Sequence, residues 1–338
     1  MKLCADQIKN ERLVKWHGRI YQVDQKTHFF YTGSGFSLRF NGSKLRATFD
    51  VSYASEKEKP YITVFVKSEN KTETFLYALD HGVNQMTLYE GKSSVYDIEI
   101  RKRAESMHSR SSLIEFETDG AFEELFLQKK KYTIEWIGDS LTCGYGNLGA
   151  TPDTPFDTID EDGLKAFAVS ASNILDADYQ IIAVSGIGVY KSLYQDVSMP
   201  DIYEKYDIFD EKPYLLTKKQ DLIVIDLGSN DNTYLSTLKG KTYESEKEAF
   251  LKHYILFLER LHFLNPESKI LCISHGNRRI DADSVITKAY QKMDHKIYHH
   301  LRVSDVPVSD GIGSQYHPLV ITHQRWAKEI AKKIEEIM

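Results

Sequence analysis

The sequence predicts a two-part chain: an all-β sandwich or jelly roll over residues 1–128, then a doubly wound parallel α/β domain over residues 129–338. Three observations predict it. Apolar residues recur with period two up to about residue 127, short apolar runs alternate with helix-like stretches after residue 131, and Lys129-Lys-Lys131 separates the two regimes. At 338 residues the chain is also long for a single core.

In the first part, Phe36, Leu38 and Phe40 alternate with polar neighbours, as do Leu45, Ala47, Phe49 and Val51, then Ile62, Val64 and Val66. Val95, Ile98 and Ile100 follow more loosely, and Leu113, Ile114 and Phe116 end the series. Gly33-Ser-Gly35, Asn41-Gly-Ser43, His81-Gly82 and Glu90-Gly91 read as turns between these runs. Many short strands at such spacing indicate a sandwich. In the second part, 134–137, 179–184, 222–227 and 270–274 are apolar runs suited to strands buried on both faces. Between them, 163–175, 244–264 and 282–301 read as helical, and a last amphipathic helix spans about 319–337 with Trp326, Ala327, Ile330 and Ile334 on one face.

Composition is that of an ordinary globular protein, 41% hydrophobic and 27% charged, with 21 Tyr and 16 Phe. A net charge of −6 and a pI near 6.1 argue against a nucleic-acid partner. Arg101-Lys-Arg103 and Lys129-Lys-Lys131 read as solvated charges beside acidic neighbours. Three distant cysteines, Cys4, Cys143 and Cys272, suggest neither a disulfide framework nor a CxxC metal site. The first ten residues have no apolar h-region and no later apolar run could span a bilayer, so a cytoplasmic protein without a membrane partner is expected; a trimmed secreted protein would look the same. The sequence sets no oligomeric state.

The chemistry starts at Tyr132–Asn147, where Ile134, Trp136 and Ile137 end a core strand and Gly138-Asp-Ser140 turns out of it. Ser140 there has an exposed hydroxyl and an outward N–H near a helix start, with Asp139 or Ser140 as cap, which suits an acyl-transfer nucleophile. In a doubly wound sheet, active residues gather at the carboxyl ends of the strands. The next ends are Ser185-Gly-Ile-Gly188, Gly228-Ser-Asn-Asp231 and Ser274-His-Gly-Asn277, and His317-Pro318 in Asp310–Pro318 opens the last helix.

These blocks resemble, in order across residues 132–338, the SGNH (GDSL-type) hydrolase superfamily. The β-domain, Tyr31-Thr-Gly-Ser-Gly-Phe36, Ile137–Asn147 and His317-Pro318 followed by His323-Gln-Arg325 narrow the resemblance to carbohydrate esterase family 2. That family removes O-acetyl groups from plant-polysaccharide sugars such as xylan and mannan. The resemblance implies Ser140 as nucleophile, the N–H groups of Ser140 and Gly186 with the Asn230 amide as oxyanion hole, and His317 as base. It implies an acetylated oligo- or polysaccharide as partner and no cofactor.

One departure stands out. The superfamily usually has an aspartate three residues before its histidine, and many relatives in this esterase family have one two before; here these are Ser314 and Gln315. A Ser–His dyad with a backbone carbonyl holding His317 is the favoured expectation, with Gln315 as neutral orienter and Asp310 as a carboxylate from farther away the other options. Tyr145, Tyr190, Tyr234 and Tyr316 flank the proposed loops and are candidate sugar-stacking residues. Asp139 and Asp231 are read as loop braces, His323, Trp136 and Trp326 as structural, and His253, His262, His299 and His300 as helical surface or packing residues. His295, His299 and His300 lack further ligands at fitting positions, so no metal is expected. A lipase- or thioesterase-type hydrolase and a carbohydrate-binding protein with a decayed site are the alternatives. No row of tryptophans marks the β-domain, which is read as structural.

Overall fold

The computed structural model describes all residues except 6, 7, 9–11, 70, 127, 217, 277 and 278, so Asn277 at the fourth strand end lies outside the described residues. The N-terminal part is one antiparallel system of ten strands: β1 (Lys2–Cys4), β2 (Val14–His17), β3 (Ile20–Val23), β4 (Lys26–Phe29), β5 (Gly35–Tyr53), β6 (Tyr61–Lys67), β7 (Thr72–Ala78), β8 (Gly82–Lys102), β9 (Ser109–Thr118) and β10 (Ala121–Glu123). Period-two alternation has its expected consequence: Phe36, Leu38, Phe40, Leu45, Ala47, Phe49 and Val51 point inward and are no more than 2% exposed. Val95 and Ile114 do not follow the pattern and keep contact with solvent.

Two of the expected turns are not turns. β5 and β8 run straight through Asn41-Gly-Ser43 and Glu90-Gly91 and pair with each other from Gly35–Arg101 to Val51–Gly82. Their register shifts between Gly42 and Lys44 and again between Leu45 and Arg46. A glycine inside a strand marks a bulge as readily as an end, because a bulge bends a long strand without breaking the ladder.

The C-terminal part contains β11 (Tyr132–Gly138), α1 (Ser140–Cys143), α2 (Phe167–Ile174), β12 (Ala177–Ala183), α3 (Met199–Ile202), β13 (Lys205–Asp207), β14 (Asp210–Pro213), β15 (Leu222–Asp226), α4 (Ser229–Ser236), α5 (Gly240–Leu264), β16 (Lys269–His275), α6 (Ile280–Gln291), β17 (Tyr298–Val303) and α7 (Val320–Ile337). Strands β12-β11-β15-β16-β17 form a parallel sheet in that order. The central strands are buried on both sides: Trp136, Leu222 and Val224 pack with α2 and α7, while Ile137, Ile223 and Ile225 pack with α5 and α6. Trp136 and Trp326 are each 1% exposed, their indole N–H groups donating to Ser172 Oγ and the Ser304 carbonyl. At 150–250 Å² per large aromatic ring, each burial contributes about 4–6 kcal/mol of transfer free energy before entropy.

The stretch 282–301 is not one helix. α6 ends at Gln291, and Tyr298–Val303 adds a fifth strand to the β16 edge. Only Tyr298 and Val303 of that strand are buried, so it lacks the continuous apolar run of the central strands and its edge position was not legible. His299 and His300 therefore sit on a strand, and His295 in the preceding turn. The short polar helix α4 also gave no periodic signal.

The Arg101-Lys-Arg103 cluster is the largest departure from expectation. These residues are 6%, 0% and 3% exposed at the junction of the two parts. Arg101 Nε meets Glu99 at 2.6 Å and its Nη1 donates to the Gly33 carbonyl, Lys102 Nζ donates to the carbonyls of Ala104 and Glu105, and Arg103 Nη2 donates to the Ile159 carbonyl. Nearby, Lys15 Nζ reaches Asp178 at 2.7 Å and buried Arg19 donates to the carbonyls of Tyr203 and Lys205. Buried charges persist where they are paired; Lys102 finds its partners within three residues, whereas Arg101 and Arg103 also reach the distant Gly33 and Ile159 carbonyls. Lys129, Lys130 and Lys131 are exposed.

Candidate active site

The parallel sheet reverses its order between β11 and β15, and a crevice opens outside the strand ends at such a switch point. Ser140 follows β11, Asn230 follows β15 and Gly186 follows the neighbouring β12. Asp139 caps the turn after β11, its Oδ1 accepting the Leu141 N–H at 3.0 Å. The segment it caps is a single turn, so the helix expected behind Ser140 is too short to add a sizeable dipole.

His317 Nε2 lies 2.8 Å from Ser140 Oγ. Its Nδ1 lies 2.9 Å from the backbone carbonyl of Gln315, which fixes Nδ1 as the donor and leaves Nε2 to accept from the serine. Of the three expected orienters, the carbonyl is the one in place. The Gln315 side chain turns away and donates to the Thr154 carbonyl at 3.1 Å, and Asp310 is held by Thr322 and Arg325 of α7. Gln315 and Tyr316 both occupy the left-handed region, at φ 51° and 64°, which aims the carbonyl back at the imidazole. Two such residues in a row cost roughly 1–3 kcal/mol each and persist only under external restraint. The restraint is the loop after α1: Ser314 N–H donates to the Gly146 carbonyl, Gln315 N–H to the Pro152 carbonyl, and Tyr316 Oη to Asp153. Gly146 has φ +63°, and a Cβ there would meet the Ser314 carbonyl at 2.5 Å, which explains glycine at this point of the Cys143-Gly-Tyr-Gly-Asn147 run.

Burial lowers the His317 pKa to about 4, with the Gln315 carbonyl opposing and the Arg279 charge reinforcing the shift. Among the described residues no carboxylate hydrogen-bonds the ring, in contrast to a full triad, and the Glu105 charge opposes the lowering only in last place.

Among the described residues, no acceptor takes the N–H of Ser140 or of Gly186. Asn230 is buried at the same edge, but its Nδ2 donates to the Ile187 carbonyl at 2.8 Å and to Asp139 Oδ2 at 3.2 Å. Of the two, the longer bond to Asp139 is the weaker. Burial, and then the Asp226 charge, push Asp139 up to about 7, which weakens that acceptor further near neutral pH. Asp231 does more than brace its own loop: its carboxylate crosses to the second block and accepts the N–H groups of Val189, Tyr190 and Lys191 at 2.7–3.0 Å.

The four expected tyrosines divide into two pairs. Tyr145 lies 4.7 Å from the His317 ring and stacks on Phe156, and Tyr316 stands beside His317 with 67% of its surface exposed. Tyr190 and Tyr234 both donate to Glu246 on α5 and form a bracket on that helix, not an open platform. Sequence reasoning missed Tyr194, which is 81% exposed with its ring over Gly186. His323 is fully buried on α7, its Nδ1 accepting the Phe167 N–H. Among the described residues, Glu105, Cys143 and Glu161 bring ligand-type atoms within 4.8 Å of one another. Lys102 is buried with them, burial holds the Cys143 thiol well above its ordinary value, and burial and the Glu105 charge push Glu161 up to about 8.

Residues 16–124 match the family model of the carbohydrate esterase 2 N-terminal domain. An acetylxylan esterase / glucomannan deacetylase from Cellvibrio japonicus is 28% identical over 254 residues, 69% of this chain and 70% of the relative. A family two carbohydrate esterase from Clostridium thermocellum, solved in complex with cellohexaose, superposes with a TM-score of 0.83 at 21% identity, covering 96% of this chain and 98% of that one. An acetyl xylan esterase from the rumen bacterium Butyrivibrio proteoclasticus superposes at 0.85 and 19% identity over 99% and 98%. In its N-terminal domain, its sequence and its two-part fold, the chain resembles the SGNH-type esterases of carbohydrate esterase family 2.

Proposed function

We propose that this chain is a serine esterase that removes O-acetyl groups from plant-hemicellulose oligosaccharides through an acetyl-enzyme, with Ser140 as nucleophile and His317 as general base. The observation that carries the reading is the 2.8 Å contact between Ser140 Oγ and His317 Nε2 beside two N–H groups with no other acceptor among the described residues. The relative named as acetylxylan esterase and glucomannan deacetylase supports the substrate class.

Ser140 Oγ attacks the acetyl carbonyl as His317 Nε2 takes its proton, and the Gln315 carbonyl stabilises the imidazolium through Nδ1–H. The N–H groups of Ser140 and Gly186 receive the oxyanion. As the intermediate collapses and its bond to the sugar oxygen breaks, His317 returns its proton to that oxygen, and the sugar leaves as a free hydroxyl. Water attacks the acetyl-enzyme with His317 again as base, releasing acetate and regenerating Ser140. Tyr316 and Tyr194 are our candidates for stacking on sugar rings, supported by their exposure beside the base and the oxyanion turn, and Tyr145 packs against the imidazole.

Asn230 joins the oxyanion hole in this scheme by yielding its longer bond to Asp139. Asn230→Ala then lowers kcat by about a hundredfold, the usual loss for one oxyanion donor. Near-wild-type turnover would exclude Asn230 from the hole. The base also sets a pH limit. His317 must be neutral to accept a proton, and its lowered pKa extends the neutral form into acid, so the acid limb of kcat/KM falls below the ordinary histidine value of 6.5, towards 4. A limb at or above 6.5 in the wild type would mean that a carboxylate, not the carbonyl, supports the ring.

Acetate release from acetylated xylo- and manno-oligosaccharides, set against p-nitrophenyl esters of increasing chain length, tests the substrate class. Preference for acetyl over longer acyl chains is expected; preference for long chains would instead support a lipase- or thioesterase-type enzyme. The intact Ser140–His317 contact opposes a decayed binding site.

A further inference from the structure

The loop between β8 and β9 belongs to the β-domain, yet midway along it Glu105 reaches the turn of the parallel-sheet domain that presents Gly186. Glu105 on this loop is fully buried. Its Oε2 accepts the Ser185 N–H at 2.7 Å. Its own N–H donates to Glu161 Oε1 at 2.8 Å, and its carbonyl accepts from Lys102 Nζ at 2.6 Å. One peptide further on, the Ser185 carbonyl accepts from Gln195 Nε2 at 2.7 Å, and the same Nε2 lies 3.7 Å from Met107 Sδ on the β-domain loop.

Peptide geometry gives these bonds a consequence. The Ser185 carbonyl and the Gly186 N–H belong to one planar trans peptide and point in opposite directions. Holding the carbonyl with Gln195 therefore sets the direction of the Gly186 N–H. Holding the preceding N–H with Glu105 fixes the plane before it, and the Gly186 carbonyl in turn accepts from Leu193 at 2.8 Å. Residue 186, at φ +80°, is a glycine whose missing Cβ leaves the backbone little stiffness of its own, so the restraint comes from these neighbours. Burial alone would raise the Glu105 carboxyl, but His108, with Nε2 3.6 Å from Oε1, and the Ser185 N–H hold it below its ordinary value. The bond to Ser185 is thus made by a charged acceptor, which is the stronger kind.

We propose that Glu105, a residue of the β-domain, is a positioning residue for the oxyanion donor Gly186, fixing the Ser185–Gly186 turn together with Gln195. The proposal rests on the reading of Ser140, Gly186 and His317 as an ester-hydrolysis site. It makes the N-terminal domain part of the catalytic apparatus without placing any of its atoms on the substrate.

Three variants test it. Glu105→Gln keeps an acceptor of the same shape, Glu105→Met keeps the length without the acceptor, and Gln195→Met removes the second restraint without touching the buried charges. The readouts are kcat and KM for p-nitrophenyl acetate, the thermal midpoint, and the inhibition constant of a phenylboronic acid, which forms a tetrahedral adduct on a reactive serine. Both Met variants should lose about tenfold or more in kcat at nearly unchanged KM, since small misplacements of a catalytic group have effects of this size. Boronic-acid affinity should fall by a similar factor, and Glu105→Gln should recover most of the loss. A folded Met variant at either position with wild-type kcat and boronic-acid affinity overturns the proposal; if Glu105→Met does not fold, Gln195→Met decides alone. If the wild type neither hydrolyses esters nor binds the boronic acid, the functional reading itself has failed.

Discussion

Ser140→Ala stops acetate release while leaving both domains folded. A serine nucleophile acting with its base is worth about 10⁶-fold in kcat in the best-studied serine hydrolases, so the expected loss is of that order. The Ser140 hydroxyl has His317 as its hydrogen-bond partner among the described residues, and the backbone of its turn is held through Asp139. Losing the hydroxyl therefore leaves the turn in place, and the change in stability should stay within roughly 1 kcal/mol. Rates of acetate release and thermal midpoints, measured side by side, check both halves. A variant that retains turnover would remove Ser140 from the mechanism, and one that unfolds would assign it a structural role.

His317→Ala should be nearly as damaging, and Ser140→Ala/His317→Ala no worse than either alone. The two residues act as one unit through the 2.8 Å contact, and once either is gone the other has nothing left to contribute. A double variant whose loss equals the product of the single losses would show that the residues work separately. The residual activity of all three variants should be similar, because the N–H groups of Ser140 and Gly186 still accommodate the oxyanion.

The central strands were legible because they are buried on both faces and read as unbroken apolar runs, as in 222–227. The convergence of Ser140, Gly186 and Asn230 was legible because strand ends in a doubly wound sheet meet at one edge, whereas His317 lies at no strand end and was named through the family resemblance. What escaped notice depends on direction or distance. Any residue has a carbonyl, and only the left-handed turn at Gln315 and Tyr316 aims one at His317. No local pattern marks Glu105, because its partner, Ser185, lies 80 residues away. The same holds for Arg101 and Arg103, whose partners Gly33 and Ile159 no local pattern reveals. Glycines at 42 and 91 read as chain reversals, yet neither has a positive φ; a Cβ there would meet Asp119 Oδ1 at 2.6 Å and the Tyr89 hydroxyl at 2.5 Å, a demand for space that no local pattern reveals.

The most direct measurement of the central claim is rapid quenching of the wild-type protein during hydrolysis of an activated acetyl ester, followed by peptide mass spectrometry. An acetyl group on the peptide carrying Ser140, absent from Ser140→Ala and lost as acetate appears, is the predicted result. Continued release of acetate with an unmodified Ser140, or with the acetyl group on another residue, would contradict it.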